Sequence, residues 1–123
     1  MVVGSHNDRN KIEILLMELT LQQQTIEAED ALAVQELFFQ NEWADGLPVV
    51  PPTKNKIEAM LNAVPMDPQT IIGAIPERGC VFTLEVAAIN SVMAGCLPEY
   101  FPVVVTAVSA ISDPAFGLHG PSA

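Results

Sequence analysis

The chain has 123 residues, half of them hydrophobic, which is enough for one small domain with a core, too few for two, and too apolar for a disordered chain. Fifteen acidic residues against five basic ones give a formal charge of −10. So few cations exclude a nucleic-acid partner.

The charge is unevenly placed. Nine of the fifteen acids precede Gly46, no Lys or Arg follows Arg78, and from Val86 to Ala123 only Glu99 and Asp113 are charged. A stretch that apolar is either the centre of the core or a face made for a partner chain. The first residues show no basic stretch followed by an apolar run, so no signal peptide is expected. The longest apolar run, Phe101 to Ile111, is broken by Pro102 and is too short for a bilayer, so no membrane partner is expected either. Cys80 and Cys96 form no CxxC pair, which suits a reducing cytoplasmic location.

In chain order, Ile12, Leu15, Leu16 and Leu19 recur at helical spacing and predict a helix over residues 9–23. The polar run Gln22 to Thr25 breaks it. Glu29 and Asp30 then start a second helix carrying Val34, Leu37, Phe38 and Trp43, with Gly46 as its stop. Leu47-Pro48-Val49-Val50-Pro51-Pro52 can be neither helix nor central strand and predicts an extended connector. Thr53 caps a third helix through Ile57, Met60, Leu61 and Val64, ended by Pro65. Ile71–Ile75 and Cys80–Thr83 predict two short strands joined by the turn Pro76 to Gly79.

Two apolar helices close the pattern, one from Glu85 to Ala94 and one from Pro98 to Ser112, with a looped tail after Asp113. Their joint is Gly95-Cys96-Leu97-Pro98: Gly ends one helix, and Pro with Glu99 starts the next. The second helix would direct unpaired N–H groups and the positive end of its dipole at the Cys96 sulfur, favouring a thiolate.

Three ordered motifs add to this. Trp43 to Thr53 (WADGLPVVPPT), Glu85 to Tyr100 (ending MAGCLPEY) and Phe116 to Gly120 (FGLHG) resemble a family of bacterial proteins associated with small thiol or selenol proteins that carry a UGSC motif. The resemblance spans about Trp43 to Gly120. Members of that family are longer, which implies that this chain is either one product of a split gene or a precursor fragment cut near Ala123, with the nucleophile then on the other fragment. The family implies no particular reaction.

Cys96 is the candidate nucleophile; the alternative is a small residue packing a helix turn. Glu85 and Glu99 are candidates to assist it as acid or base, although each is also explained as a dipole partner in the first turn of its own helix. Asn90, in the middle of an uncharged helix, needs a hydrogen-bond partner, either a substrate or a facing backbone. Thr53 with Lys54 and Lys56 places two cations on a helix's first turn, where the dipole disfavours them, and Arg78 lies in a turn; each is an anion contact or plain solvated surface. Tyr100 and His119, from the second and third motifs, complete the candidate substrate-binding set. The Cys, His, Glu and Asp residues show no HxH, CxxC or HExxH spacing, so no metal site is expected, and no phosphate loop or dinucleotide fingerprint points to a cofactor.

The expected architecture is mixed α/β, helix-rich, with a short sheet completed by a partner chain. Residues 1–45 form an N-terminal helical segment and residues 46–123 the motif-bearing α/β portion of the same domain. The expected function is that of the small chain of a heteromeric cytoplasmic enzyme, acting on a small molecule through Cys96 with a larger partner chain; the alternative is a non-catalytic scaffold subunit.

Overall fold

The computed structural model describes residues 2–5, 12–17 and 23–118. Three strands come first, β1 (Val2–Ser5), β2 (Ile12–Met17) and β3 (Gln23–Ala28), paired antiparallel in the order β1-β2-β3. Then follow α1 (Ala31–Gln40), α2 (Lys54–Leu61), the antiparallel pair β4 (Ile71–Ile75) and β5 (Cys80–Thr83), α3 (Leu84–Met93) and α4 (Phe101–Ser112). Three single 3-10 turns, Pro76–Arg78, Pro98–Tyr100 and Pro114–Phe116, punctuate the second half. The chain is thus a mixed fold of helices with short antiparallel sheets.

The helix expected over residues 9–23 is overturned: Ile12–Met17 is the middle strand of a three-stranded sheet, with Ile14 opposite Val3 on one side and Ile26 on the other. Ile12, Glu13 and Ile14 alternate with period two as well as fitting a helical stripe. Ile12–Leu15 has a strand on both edges, and pairing of backbone groups on both sides is an advantage invisible to local periodicity.

The remaining elements follow the local signals closely. Asp30 caps α1 by accepting from the Ala33 N–H at 2.8 Å, and Thr53 and Thr83 cap α2 and α3 in the same way. Helix α1 stops at Gln40 rather than running to Gly46, because Asn41 caps it and Glu42 turns left-handed at φ 58°. The Pro76 to Gly79 turn ends in a left-handed glycine, and the β4–β5 pairing shifts register between Ile71 and Gly73.

Helix α3 is the centre of the core. Seven of its ten residues are buried, as expected of a helix apolar nearly all round. Around it sit Val34 and Phe38 from α1, Ile57 and Met60 from α2, Ile72 from β4, and Phe101 and Val105 from α4. The Ser109 hydroxyl donates to the Ile72 carbonyl at 2.8 Å and pins α4 to β4.

One polar clamp joins α1 to the connector that precedes α2. The Gln35 amide oxygen accepts from the Val49 N–H at 2.9 Å, and its nitrogen donates to the Val49 carbonyl. One side chain thereby supplies a strand-like pair of hydrogen bonds to a segment whose prolines keep it out of any sheet. Both partners are half-buried, so Gln35→Ala strands two backbone groups. We expect a loss of about 1–3 kcal/mol in denaturant unfolding, with Gln35→Glu retaining only part of the pairing.

Candidate functional site

The residues of the first two motifs meet at the C-terminal end of α3. An α-helix ends with carbonyls that lack intrahelical partners, and burial makes an unmet carbonyl costly. Here the Gly95 N–H donates to the Val92 carbonyl and the Cys96 N–H to the Ser91 carbonyl, both at 2.9 Å, a Schellman closure that needs the left-handed φ of 77° at Gly95. The carbonyl of Met93 is met from outside: the Val50 N–H reaches it at 3.0 Å. The Val50 side chain lies over Gly95, 3.6 Å from where a Cβ would stand. Segments more than forty residues apart, Leu47 to Thr53 and Met93 to Tyr100, are therefore one structural unit. Helix α2 also packs on α3 and on the turn Pro98–Tyr100.

Cys96 sits at this junction, half-buried and packed against the core. Its thiol donates to the Leu97 carbonyl at 3.5 Å. The ring of amides expected from the following helix is not arranged around it. Pro98 has no N–H, the Tyr100 N–H is used by the Leu97 carbonyl at 3.0 Å, and the Phe101 N–H by that of Pro98. The start of α4 is a 3-10 turn that closes on itself, so the polar contact of the sulfur is a carbonyl.

Glu85 is not brought to Cys96. The two lie at opposite ends of α3, and from Glu85 to Met93 alone the axis runs about 12 Å at 1.5 Å per residue. Glu85 is 4% exposed. Its carboxylate accepts from the Gln69 side chain, while its backbone N–H donates to the Pro68 carbonyl at 2.8 Å. It fastens the turn Asp67–Thr70 to the helix start. Asn90 is exposed and donates to the Val86 carbonyl of its own helix at 2.8 Å, which answers its need for a partner.

Thr53 spends its hydroxyl on the Lys56 N–H. Lys54 lies 3.9 Å from Glu58, a solvent-exposed pair of the kind that contributes at most about 1 kcal/mol. Glu99 and Tyr100 are exposed beside the junction, Tyr100 at 57%. Arg78 is exposed in the turn between β4 and β5. His119 lies outside the described residues, and Phe116 to Leu118 stand beyond the far end of α4, a helix about 18 Å long. Cys96, Glu99 and Tyr100 thus lie on the joint itself with Val50 beside it, whereas Glu85 stands at the other end of α3 and Arg78 in the turn between β4 and β5.

Sequence reasoning passed over Gln35 and the acidic, aromatic end of α1. There a cleft of about 680 Å3 is lined by Glu36, Phe39, Gln40, Glu42, Trp43 and Asp45 among others. The signal was present in the spacing of Glu36, Phe39 and Gln40 on one helical face, followed directly by Trp43. Among the described residues no three His, Cys, Asp or Glu side chains are placed to share a metal ion, and no helix is long and apolar enough to cross a membrane. No protein-family model, curated protein or solved structure matches this chain.

Because the Gly95 backbone is left-handed, Gly95→Ala should destabilise the fold by about 1–2 kcal/mol, and Gly95→Asn by less, since Asn tolerates that conformation. Urea unfolding of the two variants checks the order.

Proposed function

We propose that this chain is an assembly subunit of a multi-chain enzyme acting on a small molecule, and that the exposed face of α4 seats a larger partner chain. The observation that carries this reading is the composition of that face. Helix α4 has no charged side chain in twelve residues. Phe101 and Val105 point into the core, whereas Val103, Ala107, Ala110 and Ile111 lie along the solvent side, Val103 69% exposed. Exposed Leu97 and Tyr100 precede the helix, exposed Phe116 follows it, and exposed Ile71 stands on the neighbouring strand β4. A surface helix ordinarily turns charge toward water, and a contiguous apolar patch on a small domain marks an interaction face.

A second reading gives Cys96 the chemistry, as nucleophile or redox thiol on a small molecule with an electrophilic carbon or heteroatom. It is favoured by the convergence of the two motifs around a half-buried sulfur, with Glu99 and Tyr100 exposed alongside. The carbonyl contact of the thiol favours the packing role instead.

Two measurements separate these. Native mass spectrometry of the tagged full-length chain from its own host should give a stoichiometric hetero-complex. Val103→Asp or Ile111→Asp should weaken that complex at least about tenfold, while the exposed control Glu58→Lys leaves it intact. A complex indifferent to both α4 variants would defeat the assembly reading. In a Cys80→Ser background, iodoacetamide at neutral pH should label Cys96 no faster than an ordinary free thiol if its role is packing; markedly faster labelling supports the chemical role.

A further inference from the structure

The cleft at the end of α1 has no part in the reading above, and its walls have a definite chemistry. It carries three carboxylates, Glu36, Glu42 and Asp45, and two aromatic rings, Phe39 and Trp43, with no cationic side chain among its lining residues. The rings are partly in water, Phe39 59% and Trp43 37% exposed, although large aromatics normally go inside.

Both rings are held in place. Trp43 packs edge-to-face on the fully buried Phe38 with centroids 6.1 Å apart, and its backbone N–H donates to the Phe38 carbonyl at 2.9 Å, which fixes the chain at that residue. Phe39 lies over Gly46, where even a methyl group would stand only 3.3 Å from the ring. The acids are in part positioned too: Glu36 accepts from Gln40 at 2.8 Å and Asp45 from the Leu47 N–H at 3.0 Å. Fixed aromatic faces bordered by carboxylates attract a weakly hydrated cation through the ring quadrupole and through charge together. The depression is wide and open to solvent, so a ligand there would keep much of its own hydration.

We infer that this cleft binds a small organic cation of the alkylammonium class, the aromatic rings of Trp43 and Phe39 meeting its methyl or methylene groups and the surrounding carboxylates balancing its charge. A compact metal ion does not fit the chemistry, since rings offer it no ligands and the described acids form no metal-holding group.

Trp43 is the sole tryptophan of the chain, so the tryptophan emission comes from a residue lining this cleft. Titration of the full-length chain with tetramethylammonium chloride should change Trp43 emission saturably. Sodium chloride at equal ionic strength and tert-butanol, a neutral analogue of similar shape, should leave it unchanged. Phe39→Ala should weaken the response about fivefold or more, and so should Asp45→Asn. Because Asp45 also orders its own turn, Glu42→Gln serves as a second charge variant, with far-ultraviolet circular dichroism as the check on folding. No saturable response would overturn the inference. So would an equal response to tert-butanol, which marks a merely apolar cleft, or an undiminished response in folded charge variants. Binding of an arginine-containing peptide in preference to tetramethylammonium would also overturn it, assigning the cleft to a protein partner.

Discussion

The carbonyls at the C-terminal end of α3 must be paired, and the way they are paired sets the rest of the molecule. Two are closed by the chain's own reversal through Gly95, and one by Val50, brought from a segment far earlier in the sequence. That last bond ties the proline-rich connector to the helix joint. Gln35 holds the same connector from the other side through Val49. The connector itself can form no sheet, so these two attachments replace the ladder that its prolines deny it.

The same closure determines the surroundings of Cys96. Once its N–H is committed to Ser91 and the chain turns into a proline-led 3-10 turn, the sulfur lies against the Leu97 carbonyl and the edge of the core. Electrostatically the arrangement differs from an open helix start, where several free amides would face one point. Glu85 shows the complementary case: a buried carboxylate is tolerated because Gln69 and the first turn of α3 compensate it.

The surface divides by charge. Acids and exposed rings gather where α1 ends, whereas α4 offers water an uncharged face in which Val103, Ala107, Ala110 and Ile111 stand beside Thr106 and Ser109. These two regions differ in what they can recognise. The first suits a cation, where desolvated rings and carboxylates reinforce each other; the second suits another apolar surface, where area removed from water supplies the free energy.

How much was legible in advance depended on the range of the interaction responsible. The caps Asp30, Thr53 and Thr83, the turn at Gly79 and the helix end at Gly95 are short-range events, settled by hydrogen bonds within a few residues, and the sequence by itself determined them. The uncharged character of α4 was equally plain in its composition. The strand identity of Ile12–Met17 was not, because its apolar residues fit two periods and only pairing with Val2–Ser5 and Gln23–Ala28 chooses between them. Nor could the sequence tell which neighbours take the polar contacts of Glu85 and Cys96, or that Val50 answers Met93. Those relations join distant segments through unpaired backbone groups and shared burial, and only the tertiary structure decided them.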